Sequence, residues 1–238
     1  MKLQKIVSRL QELHPKEIDL SLDRIQNLCK RLGNPQDKLK AISIVGTNGK
    51  YSTIQAVFAI LKEANIKCNI YTSPHIKNIN ERFVFNNEEL NDEELANLFE
   101  EIESANNNEP ITFFEILTAA YFLKASQYQD NINLIETGLF HRFDATNILK
   151  ANLASIVTSI GLDHLDWLPE NEQTVEKIIY EKTSTLLSSN IIIAKQSSKE
   201  IIDSIKKTIS NNSSNKFANS SSLSSSLLKT NRSLILLI

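Results

Sequence analysis

Glycine is scarce in this chain, with five in 238 residues, about a third of the usual share of about 7%. Cysteine is scarcer still. Cys29 and Cys68 are far apart in sequence and offer neither a disulfide framework nor a metal pair, which points to two reduced thiols. Charge of one sign is also missing. Lys and Arg number 26, Asp and Glu 28, the net charge is -2 and the pI about 6.1. No global basic field exists to hold nucleic acid or an anionic membrane. No stretch approaches the roughly 20 apolar residues of a membrane span, and Met1-Lys2-Leu3-Gln4-Lys5 begins a charged amphipathic segment without an apolar signal core. The expectation is a cytoplasmic protein, binding neither nucleic acid nor membrane, and monomeric.

What is present is ordinary for a soluble globular protein: 41% hydrophobic and 23% charged residues. Apolar positions with a helical period predict helices over 3–13, 22–32, 52–64, 92–105, 113–128, 175–187 and 199–209. Gly33-Asn34-Pro35 stops the second of them. Short apolar runs predict strands over 40–45, 67–71, 132–136, 153–159 and 191–195, with an extended piece over 82–85. Strands alternating with helices predict an α/β fold, a mostly parallel, doubly wound sheet of P-loop type covered on both faces. Ligands of such sheets bind beyond the carboxyl ends of the strands. Gly46, Gly49, Gly138 and Gly161 all fall at or just past such ends, where backbone shape or close ligand approach calls for glycine.

Composition shifts after Ser210. Polar runs such as Ser220-Ser221-Ser222 and Ser224-Ser225-Ser226 cannot offset their own ordering entropy. Residues 1–210 are thus expected to form the folded domain. Residues 211–238 are expected to be a low-complexity tail, either degraded, frame-shifted or a natural linker. The final Leu234-Ile235-Leu236-Leu237-Ile238 is too short to span a membrane.

The strongest chemical signal is Gly46-Thr47-Asn48-Gly49-Lys50-Tyr51-Ser52-Thr53, between a strand and a helix. Backbone N–H groups of such a loop converge on one concavity, and the helix dipole adds positive charge there. Lys50 would neutralise outer phosphates, and a hydroxyl at the helix start would reach a magnesium-bound phosphate. The alternative is a structural turn carrying a surface lysine.

The further segments Tyr71-Thr72-Ser73-Pro74-His75, Thr112-Phe113-Phe114-Glu115, Glu136-Thr137-Gly138-Leu139, Arg142-Phe143-Asp144-Ala145-Thr146-Asn147, Thr158-Ser159-Ile160-Gly161-Leu162-Asp163-His164 and Glu181-Lys182 follow in order. Together with the loop they resemble the bifunctional folylpolyglutamate synthase/dihydrofolate synthase family, within the Mur ligase superfamily. The resemblance covers residues 41–187. It implies an ATP-dependent amide ligase that phosphorylates a carboxylate of dihydropteroate or of a folate glutamyl tail, then joins free glutamate to it. ATP and Mg2+ would be required. By matching position, Gly49, Lys50, Tyr51 and Ser52 would hold the ATP phosphates, and Ser73, Glu136 and His164 the magnesium. Lys50, Lys182 and His164 would be the catalytic set, with Lys182 resembling a lysine that family members carbamylate. Pro74, Phe113, Phe114 and Asp144 would face the pterin substrate, core packing being the alternative for the phenylalanines. Asp163 and Asp166 would support His164. His14, His75 and His141 have no clear ligand set, and His14 and His141 are expected to be solvated.

The resemblance is broken in places. Tyr51 stands where the family usually has glycine and would bring a bulky ring beside the phosphates. Phe140 and His141 replace a glycine pair, so this turn is expected to be strained or reshaped. Thr183-Ser184 replaces a small Ala-Gly step. A second, C-terminal ligase domain of the family is expected to be absent, leaving the ATP-binding fold incomplete at its C-terminal end. Two readings therefore stand beside each other: an active ligase, and a non-catalytic remnant that at most binds nucleotide.

Overall fold

The computed structural model describes residues 2–12, 20–150, 152–186 and 190–211. His14 and the expected tail beyond Asn211 lie outside these residues. Two helices, α1 (Lys2–Glu12) and α2 (Asp23–Arg31), precede strand β1 (Lys40–Val45). There follow α3 (Lys50–Glu63), β2 (Cys68–Tyr71), the short β3 (Phe83–Phe85) and β4 (Glu88–Glu89), α4 (Asp92–Asn106), α5 (Phe113–Ala125) and β5 (Ile132–Glu136). The chain then adds β6 (Ala154–Val157), α6 (Val175–Thr183), β7 (Ile191–Ile193) and α7 (Lys199–Ser210).

The seven strands form one sheet in the order β4-β3-β2-β5-β1-β6-β7. Pairing is parallel from β2 through β7 and antiparallel for β3 and β4. The mostly parallel α/β sheet expected from the alternating pattern is thus present. Strands β1 and β5 coincide with the predicted bounds. β1 reads as a continuous apolar run because both its faces are covered, and successive residues serve opposite layers. Ile42 and Ile44 pack with Ile54, Val57 and Leu61 of α3, while Ala41 joins the larger core built with α1, α2, α4 and α5. A third cluster joins Val45 and Val157 to α6 and α7.

Helix α5 is apolar on nearly every side and correspondingly buried. Its start is fixed by a reciprocal cap: Thr112 Oγ1 accepts from the Glu115 N–H at 3.2 Å, and Glu115 Oε2 accepts from the Thr112 N–H at 2.8 Å. Strand β4 was not expected, because Glu88-Glu89 carries no apolar pattern. It exists because Asn86 and Asn87 both take left-handed conformations, φ 55° and 72°, which lets a two-residue turn fold the chain back on β3.

Candidate active site

The carboxyl ends of β1, β5, β2 and β6 surround one cleft of about 530 Å³. Its wall includes Thr47, Lys50, Ser73, Pro74, Arg82, Phe114, Gly138, Phe140, Asp144, Asp163 and His164. Each strand delivers one part, so residues up to 118 positions apart in the chain, such as Gly46 and His164, meet at one edge of the sheet.

The loop after β1 supplies the cationic end. Gly46 has φ 152°, and a Cβ there would lie 2.0 Å from Thr158 Oγ1. Only glycine permits this contact between the loop and β6. The N–H groups of Thr47 and Asn48 both donate to the Ser159 carbonyl, at 2.9 and 3.1 Å, tying the loop to the same strand. Gly49, at φ 83°, opens α3, and no side chain caps this helix start. The first-turn N–H groups are therefore available to an anion. Lys50 Nζ donates to the carbonyls of Gly46 and Thr47, both at 3.3 Å, and lies 3.8 Å from Glu136 Oε1.

Glu136 ends β5 with 4% of its surface exposed. Its Oε2 accepts from the Ser73 N–H at 3.1 Å. Burial raises the Glu136 pKa, and the Ser73 N–H and the Lys50 charge offset it only in part. An under-compensated buried carboxylate beside a serine hydroxyl suits a hard cation that completes its shell with phosphate and water oxygens. Among the described residues no group of three His, Cys, Asp or Glu could hold a metal by itself. The donor set thus fits magnesium carried in with a polyphosphate, and not a closed protein site.

His164 sits in a left-handed conformation with Nε2 3.2 Å from Asp163 Oδ2, and desolvation lowers its pKa. Lys182 is 1% exposed. Its ammonium donates to the Gly46 carbonyl at 3.1 Å, lies 3.8 Å from Asp163 Oδ2, and stands 5.6 Å from the centre of the Phe140 ring. Burial, with the nearby Lys50 charge, lowers its pKa to about 8. The turn leading to Lys182 is held by Arg142, which grips both oxygens of Glu181 at 2.8 Å. Asp144 closes the turn after β5 by accepting from the Gly138 and Thr146 N–H groups, at 2.9 and 3.0 Å, and burial lifts its pKa to about 6.

Several placements differ from expectation. Phe114 and Pro74 line the cleft, whereas Phe113 packs beside the large core. Asp166 is not part of the cleft wall, while Asp163 is. His141 is not solvated. It is 2% exposed, its Nδ1 lies 2.9 Å from Thr185 Oγ1, and burial lowers its pKa to about 4, leaving a neutral ring. The reshaped turn is real, but the strain falls on Phe140 alone, at φ 55°. Tyr51 is 56% exposed and outside the cleft wall. The ring therefore does not crowd the phosphate end, and Tyr51→Ala is expected to leave ATP affinity within about twofold of wild type by calorimetry. A larger change would place the ring at the ligand. Sequence reading missed Arg82, Arg24 and the Arg142–Glu181 pair. A lone arginine has no spacing pattern, and the partners of the latter two lie far along the chain.

A glycine loop joining a central parallel strand to a helix, opposite a buried carboxylate on the neighbouring strand, defines a P-loop α/β fold of the Mur-ligase type. The comparisons agree. No family model matches the chain. The "Dihydrofolate synthase/folylpolyglutamate synthase" of Escherichia coli strain K12 is 38% identical over 169 residues, 71% of this chain and 40% of that protein. The solved structure of "E.coli FolC in complex with DHPP and ADP" superposes with a TM-score of 0.78 at 34% identity, covering 89% of this chain and 50% of that one. The Yersinia pestis bifunctional folylpolyglutamate synthase/dihydrofolate synthase, complexed with AMPPNP and Mn ion, gives a TM-score of 0.79 at 28% identity over 90% of this chain and 51% of that one. The chain belongs to the dihydrofolate synthase/folylpolyglutamate synthase family. It spans about 40% of the length of the curated relative and about half of the solved chains.

Proposed function

We propose that this chain carries the ATP- and acceptor-binding part of an ATP-dependent amide ligase that adds glutamate to dihydropteroate or folate. In the reaction an acceptor carboxylate oxygen attacks the γ-phosphorus of ATP and ADP leaves. The amine of glutamate then attacks the acyl carbon, the C–O bond to phosphate breaks, and the amine's proton is released. A carboxylate is a poor electrophile, and phosphoryl transfer depends on positioning and charge neutralisation. The observation that carries the reading is the approach of Lys50 to Glu136, 3.8 Å apart at the uncapped start of α3.

Residues 49–52 would receive the phosphates through the first-turn N–H groups, with the Lys50 ammonium on the outer oxygens. Glu136 and Ser73 would hold magnesium, with His164 beside them; when bound, the ion neutralises phosphate charge. Lys182, with its pKa lowered to about 8, has a sizeable neutral fraction near pH 8. The neutral amine is the form that adds carbon dioxide, giving a carbamate and a proton, so the modification suggested by resemblance is chemically accessible here. Pro74, Phe114 and Asp144 would border the acceptor ring.

The test is phosphate release by the full chain given ATP, magnesium, dihydropteroate and labelled glutamate. Release is expected only when all four are present, with label entering the product. ATP binding without glutamate-dependent release would replace the ligase reading with that of a nucleotide-binding protein.

A further inference from the structure

Arg82 is a cation in the cleft wall without an anionic partner. It closes a 3-10 turn, Ile79–Arg82, immediately before β3, and its carbonyl accepts from the Thr72 N–H, next to Ser73. Desolvation lowers its pKa. The only side-chain hydrogen bond it makes among the described residues runs from Nε to His75 Nδ1, at 2.9 Å. Because Nε always carries a proton, His75 accepts and is uncharged at that nitrogen. No carboxylate among the described residues stands within 4.0 Å, and neither Nη group has a hydrogen-bond acceptor there. Partly buried charges are normally paired. The two outward donors of this guanidinium match the two oxygens of a carboxylate or the edge of a phosphate.

The loop that sets this geometry is rigidly built. Glu81 receives three consecutive backbone N–H groups, from Ile76, Lys77 and Asn78, at 2.8, 2.9 and 2.8 Å. That closes the segment around His75 and presents its ring to Arg82. The strand order decides between the two anions. From the phosphate end the cleft runs across β1 with Lys50, β5 with Glu136, β2 with Ser73, and β3 with Arg82. Three strand spacings separate β1 from β3, about 14 Å. The terminal phosphate belongs at the Lys50 end, and the acceptor lies toward Arg82.

We propose that Arg82, oriented by His75, anchors a carboxylate of the acceptor substrate and so sets the cleft's selectivity for an anionic acceptor. The proposal rests on the ligase reading above and adds to it the group that recognises the acceptor's charge.

Calorimetric titration of the full chain with dihydropteroate and with its carboxamide tests this, since the two differ only at the group in question. Wild type is expected to bind the acid at least about tenfold more tightly than the amide. Arg82→Gln is expected to abolish that preference by weakening the acid alone, and Arg82→Lys to keep part of it, with thermal melting as the check on folding. If Arg82→Gln does not fold, a reduced preference in Arg82→Lys is the required result. Equal affinity of wild type for acid and amide, an unchanged preference in the variants, or equal loss of both compounds overturns the role of Arg82 and leaves the ligase reading standing. Failure of wild type to bind either compound overturns the acceptor reading and this proposal with it.

Discussion

Gly46→Ala is expected to lower stability by roughly 2–6 kcal/mol, combining a strained backbone with a forced contact. The added methyl would lie 2.0 Å from Thr158 Oγ1 and 3.2 Å from the Thr158 carbonyl carbon, and a backbone atom of a central strand cannot yield cheaply. The loss would not stay local. The Gly46 carbonyl takes hydrogen bonds from both Lys50 and Lys182, so moving it displaces two cations of the cleft together. Urea unfolding followed by circular dichroism gives the measurement, with nucleotide affinity beside it. Thr158→Ala in the same chain should restore part of the stability by removing the nearest atom. A loss below about 1 kcal/mol for Gly46→Ala alone would show that the loop and β6 do not approach as described.

Lys182→Met is expected to act in the opposite direction on stability. In the folded chain Lys182 has its pKa lowered to about 8, against 10.5 for a free lysine. Between these values the unfolded chain still binds the proton that the folded chain has released, so stability should rise with pH through that window. Below pH 8 the full penalty of the buried charge applies, about 3 kcal/mol. Methionine fills similar space without charge, and loses one hydrogen bond to Gly46, about 1 kcal/mol. The variant should therefore be about 2 kcal/mol more stable than wild type at pH 7, should show a flat profile from pH 8 to 10.5, and should lose glutamate-dependent phosphate release. Urea melts at pH 7, 8, 9 and 10 decide the matter, and a destabilised variant at pH 7 would contradict the charge argument. A residue that destabilises the fold while facing the reaction centre is the usual trade of stability for function.

Much of this architecture was legible because its governing interactions are local. The runs at 40–45 and 132–136 are short, apolar and bounded, as buried parallel strands must be, and the loop after Val45 carries its own spacing. What could not be read depends on distant partners. His141 looks like a loop histidine until α6 brings Thr185 against its ring, 44 residues later. Glu88-Glu89 becomes a strand through the conformation of Asn86 and Asn87, not through its own side chains. Helix α6 ends at Thr183 although the apolar pattern continued. Phe113 and Phe114 are chemically identical neighbours, and only the rotation of α5 places one in the core and the other in the cleft.

The position of β1 also bears on how the molecule is assembled. It lies at the centre of the sheet, yet Lys40 pairs with Ile132 and Ile42 with Ala154. On the ribosome this strand emerges early and waits for roughly a hundred further residues before either flank exists, the kind of non-local closure that slows folding. Only then does the bend that follows it acquire its supports from Thr158 and Ser159. The nucleotide cradle is thus among the last parts of this sheet to take shape, although nearly three quarters of the described chain is made after it.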